Sequence, residues 1–156
     1  MNGTSATTFE PDSATDRAIL VTVLYRREDQ PEAGDCPFTD VRAGEWYTDA
    51  ITWAAENKIV EGYGDDLFGP EDSITREQFA TILYRYAKYK GYDVTAKADI
   101  TTFVDGSDTE AWAADAMAWA VAEKLINGIE NNQLDPQGDA IRAQMAAILM
   151  RFCELV

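Results

Sequence analysis

No histidine stands anywhere in the 156 residues, which removes the side chain most often used for proton transfer near neutral pH and for transition-metal ligation. Basic residues are also scarce: 13 lysines and arginines face 28 aspartates and glutamates, a formal net charge of −15. Such a surface repels nucleic acid and anionic membranes at long range, so neither is expected as a partner. Two cysteines, Cys36 and Cys153, lie far apart without metal-ligand spacing. One falls in a linker and the other on the last helix, so a disulfide between them is the lesser reading. No apolar run approaches the ~20 residues that cross a membrane, and the opening MNGTSATTFEPD has no basic start or apolar stretch of an export signal. Nucleophile motifs and phosphate-binding glycine loops are missing as well. Only scattered carboxylates remain for catalysis, so neither an enzyme nor a cofactor is expected.

What is present is repetition. The stretch GYGDDLFGPEDSITREQFATILYR, from Gly62 to Arg85, is a glycine turn, a loop and an amphipathic helix. Thr75 and Gln78 have the spacing of a capping box, and Ile74 with Phe79 that of a hydrophobic staple. Phe79, Ile82, Leu83 and Tyr86 then fall on one face, predicting a helix from near Arg76 to near Gly91.

The same unit occurs twice more. Phe9, Pro11, Arg17, Leu20, Leu24 and Arg26 stand 59 residues before Phe68, Pro70, Arg76, Phe79, Leu83 and Arg85, and Leu134, Pro136, Arg142, Met145, Leu149 and Arg151 stand 66 after them. The later copies share an upstream half: Phe38 and Asp40 match Phe103 and Asp105, and Trp46, Ala50, Trp53 and Gly62 match Trp112, Ala116, Trp119 and Gly128. Two complete repeats and one C-terminal half therefore divide the chain at 1–30, 38–91 and 103–156, separated by the linkers QPEAGDCP and DVTAKADIT. Because Met1 falls inside a repeat, the chain reads as an excerpt from a longer protein.

Helices are expected over 15–28 with Asp16 as N-cap and Leu20, Val23 and Leu24 buried, over 46–58, over 111–124, and over 139–155. In the last, Ile141 stands where Thr75 stood, and Asp139 is expected to cap instead. ITTFV at 100–104 is the nearest approach to a strand, and the class is all-α. Phe68 reads as a plug into the core, and Trp53 and Trp119 as packing residues. Gly62 and Gly128 read as helix stops in the left-handed conformation, with a second role in admitting a ligand to the backbone. The acidic loop YGDDLFGPED fails the spacing of a calcium-binding loop, and no metal is expected.

These residues resemble the S-layer homology domain of bacterial cell-surface proteins. The second copy carries its pattern as Phe38-Thr39-Asp40, Ala50-Ile51, Gly62, Phe68-Gly69-Pro70 and Ile74-Thr75-Arg76-Glu77-Gln78. The resemblance implies tandem helix-loop-helix repeats in pseudo-threefold arrangement around a central three-helix bundle, here with the first repeat truncated. It further implies a cell-surface location within a longer secreted protein, and grooves between repeats that bind an anionic secondary cell-wall polysaccharide, often one carrying pyruvate ketals. Where the family pattern ends in Glu, this chain has Gln78, Gln144 and Ile19, and its Thr is Asp16 and Ile141 in the outer copies.

Two readings of Arg17, Arg76 and Arg142 stand side by side. An arginine beside free N–H groups at a helix start clamps a carboxylate or phosphate; alternatively each pairs with an acidic neighbour from the next repeat. Asp16 beside Arg17 would compete with an anion, which singles out the second copy and Arg76. Asp40 and Asp105 would contact sugar hydroxyls or satisfy backbone donors in a turn, with the turn role weighing first. Trp46 and Trp112 would stack on sugar rings or pack in the core, with the core weighing first. The rival to a non-catalytic anchoring module is a structural or protein-interaction module that has lost glycan binding. It would associate with itself or a neighbouring domain through a first bundle helix left partly uncovered by the truncation.

Overall fold

The computed structural model describes residue 5 and residues 7–156. Among them the chain forms five α-helices, α1 (Arg17–Arg27), α2 (Thr48–Glu56), α3 (Arg76–Tyr89), α4 (Ala114–Ala122) and α5 (Arg142–Leu155), with isolated β-bridges and no strand. The ITT run at 100–102 is a single 3-10 turn. Each helix is shorter than the sequence pattern suggests, by a turn or less at either end.

At α3 the local signals agree with the outcome. Thr75 accepts the Gln78 N–H at 3.3 Å, Gln78 Oε1 accepts the Thr75 N–H at 3.2 Å, and the staple residues Ile74 and Phe79 are fully buried. The other two repeated helices start differently. Asp16 and Ile141 occupy the N-cap positions of α1 and α5, the Asp16 side chain makes no cap bond, an isoleucine has none to make, and Asp139 lies exposed two residues too early to cap.

The reason is long-range. The first N–H groups of α1, at Arg17 and Ala18, donate to the carbonyls of Asp72 and Pro70; those of α3, at Arg76 and Glu77, donate to Gly138 and Pro136; those of α5, at Arg142 and Ala143, donate to Ser13 and Pro11. Each loop thus caps the helix of another copy, which satisfies donors that a side chain would otherwise serve. Just ahead of the helices, the Thr15 N–H donates to Ala140 (3.0 Å), the Ala140 N–H to Ile74 (2.8 Å) and the Ile74 N–H to Thr15 (2.9 Å). These three bonds close a ring.

Beneath the ring, α2 packs on α1 and α4 on α3. Phe68 plugs the core and Trp53 and Trp119 are buried in it. Removing a large apolar side chain of this kind from water stabilises the fold by about 1.5–3 kcal/mol. With α2 alongside it, α1 buries Ala18, Val21, Thr22 and Tyr25 besides Leu20 and Leu24, while Val23 is half-buried. The uncovered helix is accordingly α5, not α1: Ala143, Ala146 and Ala147, which match Ala18, Val21 and Thr22, are half-buried, and Met150 is 57% exposed. Phe152 still anchors α5, its ring 5.9 Å from that of Tyr86 and 6.5 Å from that of Trp119. Both cysteines are free, and the Cys153 sulfur lies 2.9 Å from Arg27 Nη1.

Candidate functional site

The repeated arginines are buried, and their guanidinium groups hold neighbouring loops. Arg17 Nε donates to the Phe68 carbonyl at 2.9 Å, Arg76 Nε to Leu134 at 2.8 Å and Arg142 Nε to Phe9 at 2.8 Å. Arg76 Nη2 adds a bond of 2.9 Å to the Asn127 carbonyl, and Arg17 Nη2 a long one of 3.5 Å to Glu61. Ion pairs among the described residues join Arg85 to Glu61, Lys90 to Glu28 and Lys97 to Asp115. Arg17 and Arg76 thus take loop carbonyls rather than acidic side chains as partners. The first two N–H groups of α1, α3 and α5 are not available to a ligand either, because the loops already occupy them.

Burial pushes the Arg17 guanidinium down from its usual value, with Tyr63, Asp72 and Asp40 opposing the shift; at Arg76 burial acts the same way against Asp135 and Asp105. The Asp16 carboxyl is raised, first by burial and then by Glu71, with Arg142 pulling it back.

Asp40 and Asp105 take the turn role. The Asp40 carboxylate accepts the Phe68 and Gly69 N–H groups at 2.9 and 2.7 Å, and that of Asp105 accepts Leu134 and Asp135 at 2.6 and 2.8 Å. Gly62 and Gly128 are not left-handed helix stops; Lys58 and Lys124, with φ of 57° and 58°, turn the chain after α2 and α4. Gly62 is needed for close approach: a Cβ there would meet the Leu67 carbonyl oxygen at 2.2 Å and the Phe38 ring at 2.8 Å. Gly128 is crowded likewise, by the Phe103 ring at 2.7 Å.

Two grooves open beside these arginines. The first, about 310 Å³, has Arg17, Gly62, Tyr63, Gln78, Arg85 and Trp112 in its lining. The second, about 290 Å³, has Arg76, Gly128, Ile129, Gln144, Ile148 and Arg151. They differ in aromatic content. The Arg17 Cζ lies 4.4 Å from the Tyr63 ring centroid and 4.6 Å from that of Phe68, whereas the matching neighbours of Arg76 are Ile129 and Leu134.

A family model described as the S-layer homology domain matches residues 37–80 and 102–146. The chain belongs to this family. It is 34% identical over 161 residues to an amylopullulanase of Thermoanaerobacterium thermosulfurigenes, an alignment covering 99% of this chain and 8% of that protein. It is 32% identical to a surface-layer 125 kDa protein of Lysinibacillus sphaericus, covering 95% and 12%, and 29% identical to a cellulosome-anchoring protein of Acetivibrio thermocellus, covering 94% and 33%. The S-layer homology chain thus spans a third or less of each of these relatives.

Within the S-layer homology fold, the exposed tryptophans are not core residues. Trp46 is 56% and Trp112 52% exposed, because α2 and α4 begin two residues after them and leave both in the preceding turns. Trp112, from the third copy, reaches the groove of Arg17, while Trp46 stacks edge-on against Tyr47. Tyr63, Gln78, Arg85 and Arg151 also line the grooves and were not among the binding residues expected from the sequence. Arg85 and Arg151 match each other across copies, which is the signal that could have found them.

Proposed function

We propose that this S-layer homology module is non-catalytic and holds a parent protein at the cell surface by binding an anionic wall polysaccharide in the grooves between its copies. The repeats at 1–30, 38–91 and 103–156 form one pseudo-threefold unit in this reading, supported by the closed ring of bonds among Thr15, Ile74 and Ala140. Family membership and the names of the surface-layer and cellulosome-anchoring relatives support the location.

The observation that carries the reading is the company of Arg17. Arg17 lines a groove with the Arg85–Glu61 ion pair and two aromatic residues, Tyr63 and Trp112. Cationic edges suit a carboxylate such as a pyruvate ketal, and exposed aromatic faces suit the apolar side of a sugar ring. The Arg76 groove offers Arg76 and Arg151 without the aromatic wall, and is the secondary subsite. Gly62 and Gly128 let the chain pass close against Phe38 and Phe103 beside the grooves, and Asp40 and Asp105 set the loops. Arg142 is the counterpart of Arg17 and Arg76, and Trp46 that of Trp112, in the remaining copies.

The test is co-sedimentation with purified Gram-positive cell wall before and after chemical removal of its non-peptidoglycan glycan. Pelleting that disappears with the glycan is expected. Equal pelleting on stripped wall would point to another receptor and overturn the reading.

A further inference from the structure

The turn carrying Trp112 is held differently from the turn carrying Trp46. In the second copy the Thr48 hydroxyl works locally, accepting the Glu45 N–H at 3.0 Å and donating to the Arg42 carbonyl at 2.6 Å. In the third copy the matching residue is Ala114, which has no hydroxyl. There the backbone is tied to α3 instead. The Glu77 carboxylate accepts the Glu110 N–H at 3.0 Å, and the Glu110 carbonyl accepts the Ala113 N–H at 2.9 Å. Trp112 sits inside that turn.

Glu77 is otherwise hard to account for. It is buried, 4% exposed, where the other copies place Ala18 and Ala143. Burial pushes its carboxyl up from the usual range, the Glu110 N–H draws it back, and the Glu110 carboxylate adds repulsion. An acid in the first helical turn is favoured by the helix dipole, but an exposed place would give that benefit without desolvation, and alanine is the better helix former. The exchange is reciprocal across the packed helix pairs: α2, which opens with Thr48, packs on α1 with Ala18, and α4, which opens with Ala114, packs on α3 with Glu77.

We propose that Glu77 is the positioning residue for the aromatic wall of the Arg17 groove, its carboxylate clamping the Glu110–Ala113 turn that presents Trp112. The consequence for binding rests on the glycan reading above; the clamp itself does not.

Three variants test it: Glu77→Ala, Glu77→Gln, and Glu77→Ala combined with Ala114→Thr. Order of the 110–113 backbone is read by NMR relaxation and Ala113 amide exchange. Affinity is read with isolated non-peptidoglycan wall polysaccharide from a Gram-positive bacterium. Alanine is already accommodated at this position in two copies, so Glu77→Ala is expected to fold. It should loosen residues 110–113 and weaken binding roughly fivefold, the equivalent of ~1 kcal/mol. Glutamine retains an acceptor and should stay within about twofold. Ala114→Thr should restore both readouts by recreating the Thr48 arrangement. An unaltered 110–113 turn in Glu77→Ala would overturn the clamp. A loosened turn with undiminished affinity would overturn Glu77 as a positioner of the binding wall. If the parent chain binds no polysaccharide, the glycan reading falls, and the relaxation and exchange results still decide the clamp.

Discussion

Arg17 and Arg76 each direct Nε onto a loop carbonyl while lining a groove, so one side chain joins two copies and furnishes a surface between them. Asp105 is the acidic complement on the same loop: burial works against its charged form, yet the N–H groups of Leu134 and Asp135 and the nearby Arg76 bring its carboxyl below the usual range. A carboxyl held low in the folded state binds its proton more weakly there than in the unfolded chain. Its stabilisation is therefore fully present above the ordinary aspartate value of about 4, and is lost as pH falls through the depressed value. Asp105→Asn should cost about 1–3 kcal/mol at neutral pH, since the buried N–H donors lose a charged acceptor. It should also flatten the acid limb of a plot of thermal midpoint against pH. An acid limb as steep as that of the parent would remove Asp105 from this role.

At the scale of the element, the three repeated helices share a register but not a capping device. Thr75→Ala should cost about 1 kcal/mol in denaturant unfolding, because α3 loses a side-chain cap. Asp16→Ala should stay within about 0.5 kcal/mol, because that side chain makes no cap bond. Equal costs would contradict the assignment of caps. The capping box and staple of α3 were legible in the sequence because they are local, spanning a few residues. What serves α1 and α5 was not, since Ser13 and Pro11 lie far from Arg142 in the chain and no periodicity reports a carbonyl. The same limit hid the partners of the arginines. Trp46 and Trp112 were misjudged for a smaller reason: their spacing continues the helical pattern, but the helices start just beyond them. Glu77 stood in the sequence only as one residue of the motif at 74–78, and its purpose needed the distance to Glu110.

For the whole molecule, the ring through Thr15, Ile74 and Ala140 bonds the three copies to one another, and we propose that it makes them one cooperative body. Native-state amide exchange of these three residues should therefore occur at one common, global-unfolding rate. Thr15 exchanging far ahead of the others would mean that the first copy opens by itself. The net charge of −15 sets a second condition at this scale, since an anionic polymer must be met by focused cations rather than by the overall field. In the proposed reading Arg17 supplies that focus in its groove together with Arg85, which must be shared with its partner Glu61 in the same lining, and Trp112 supplies the wall. The most direct test is to compare the parent chain and Trp112→Ala in sedimentation with purified wall that retains its glycan. The account predicts that the variant, with unchanged helical circular dichroism, pellets several-fold less than the parent. Undiminished pelleting by Trp112→Ala would contradict it.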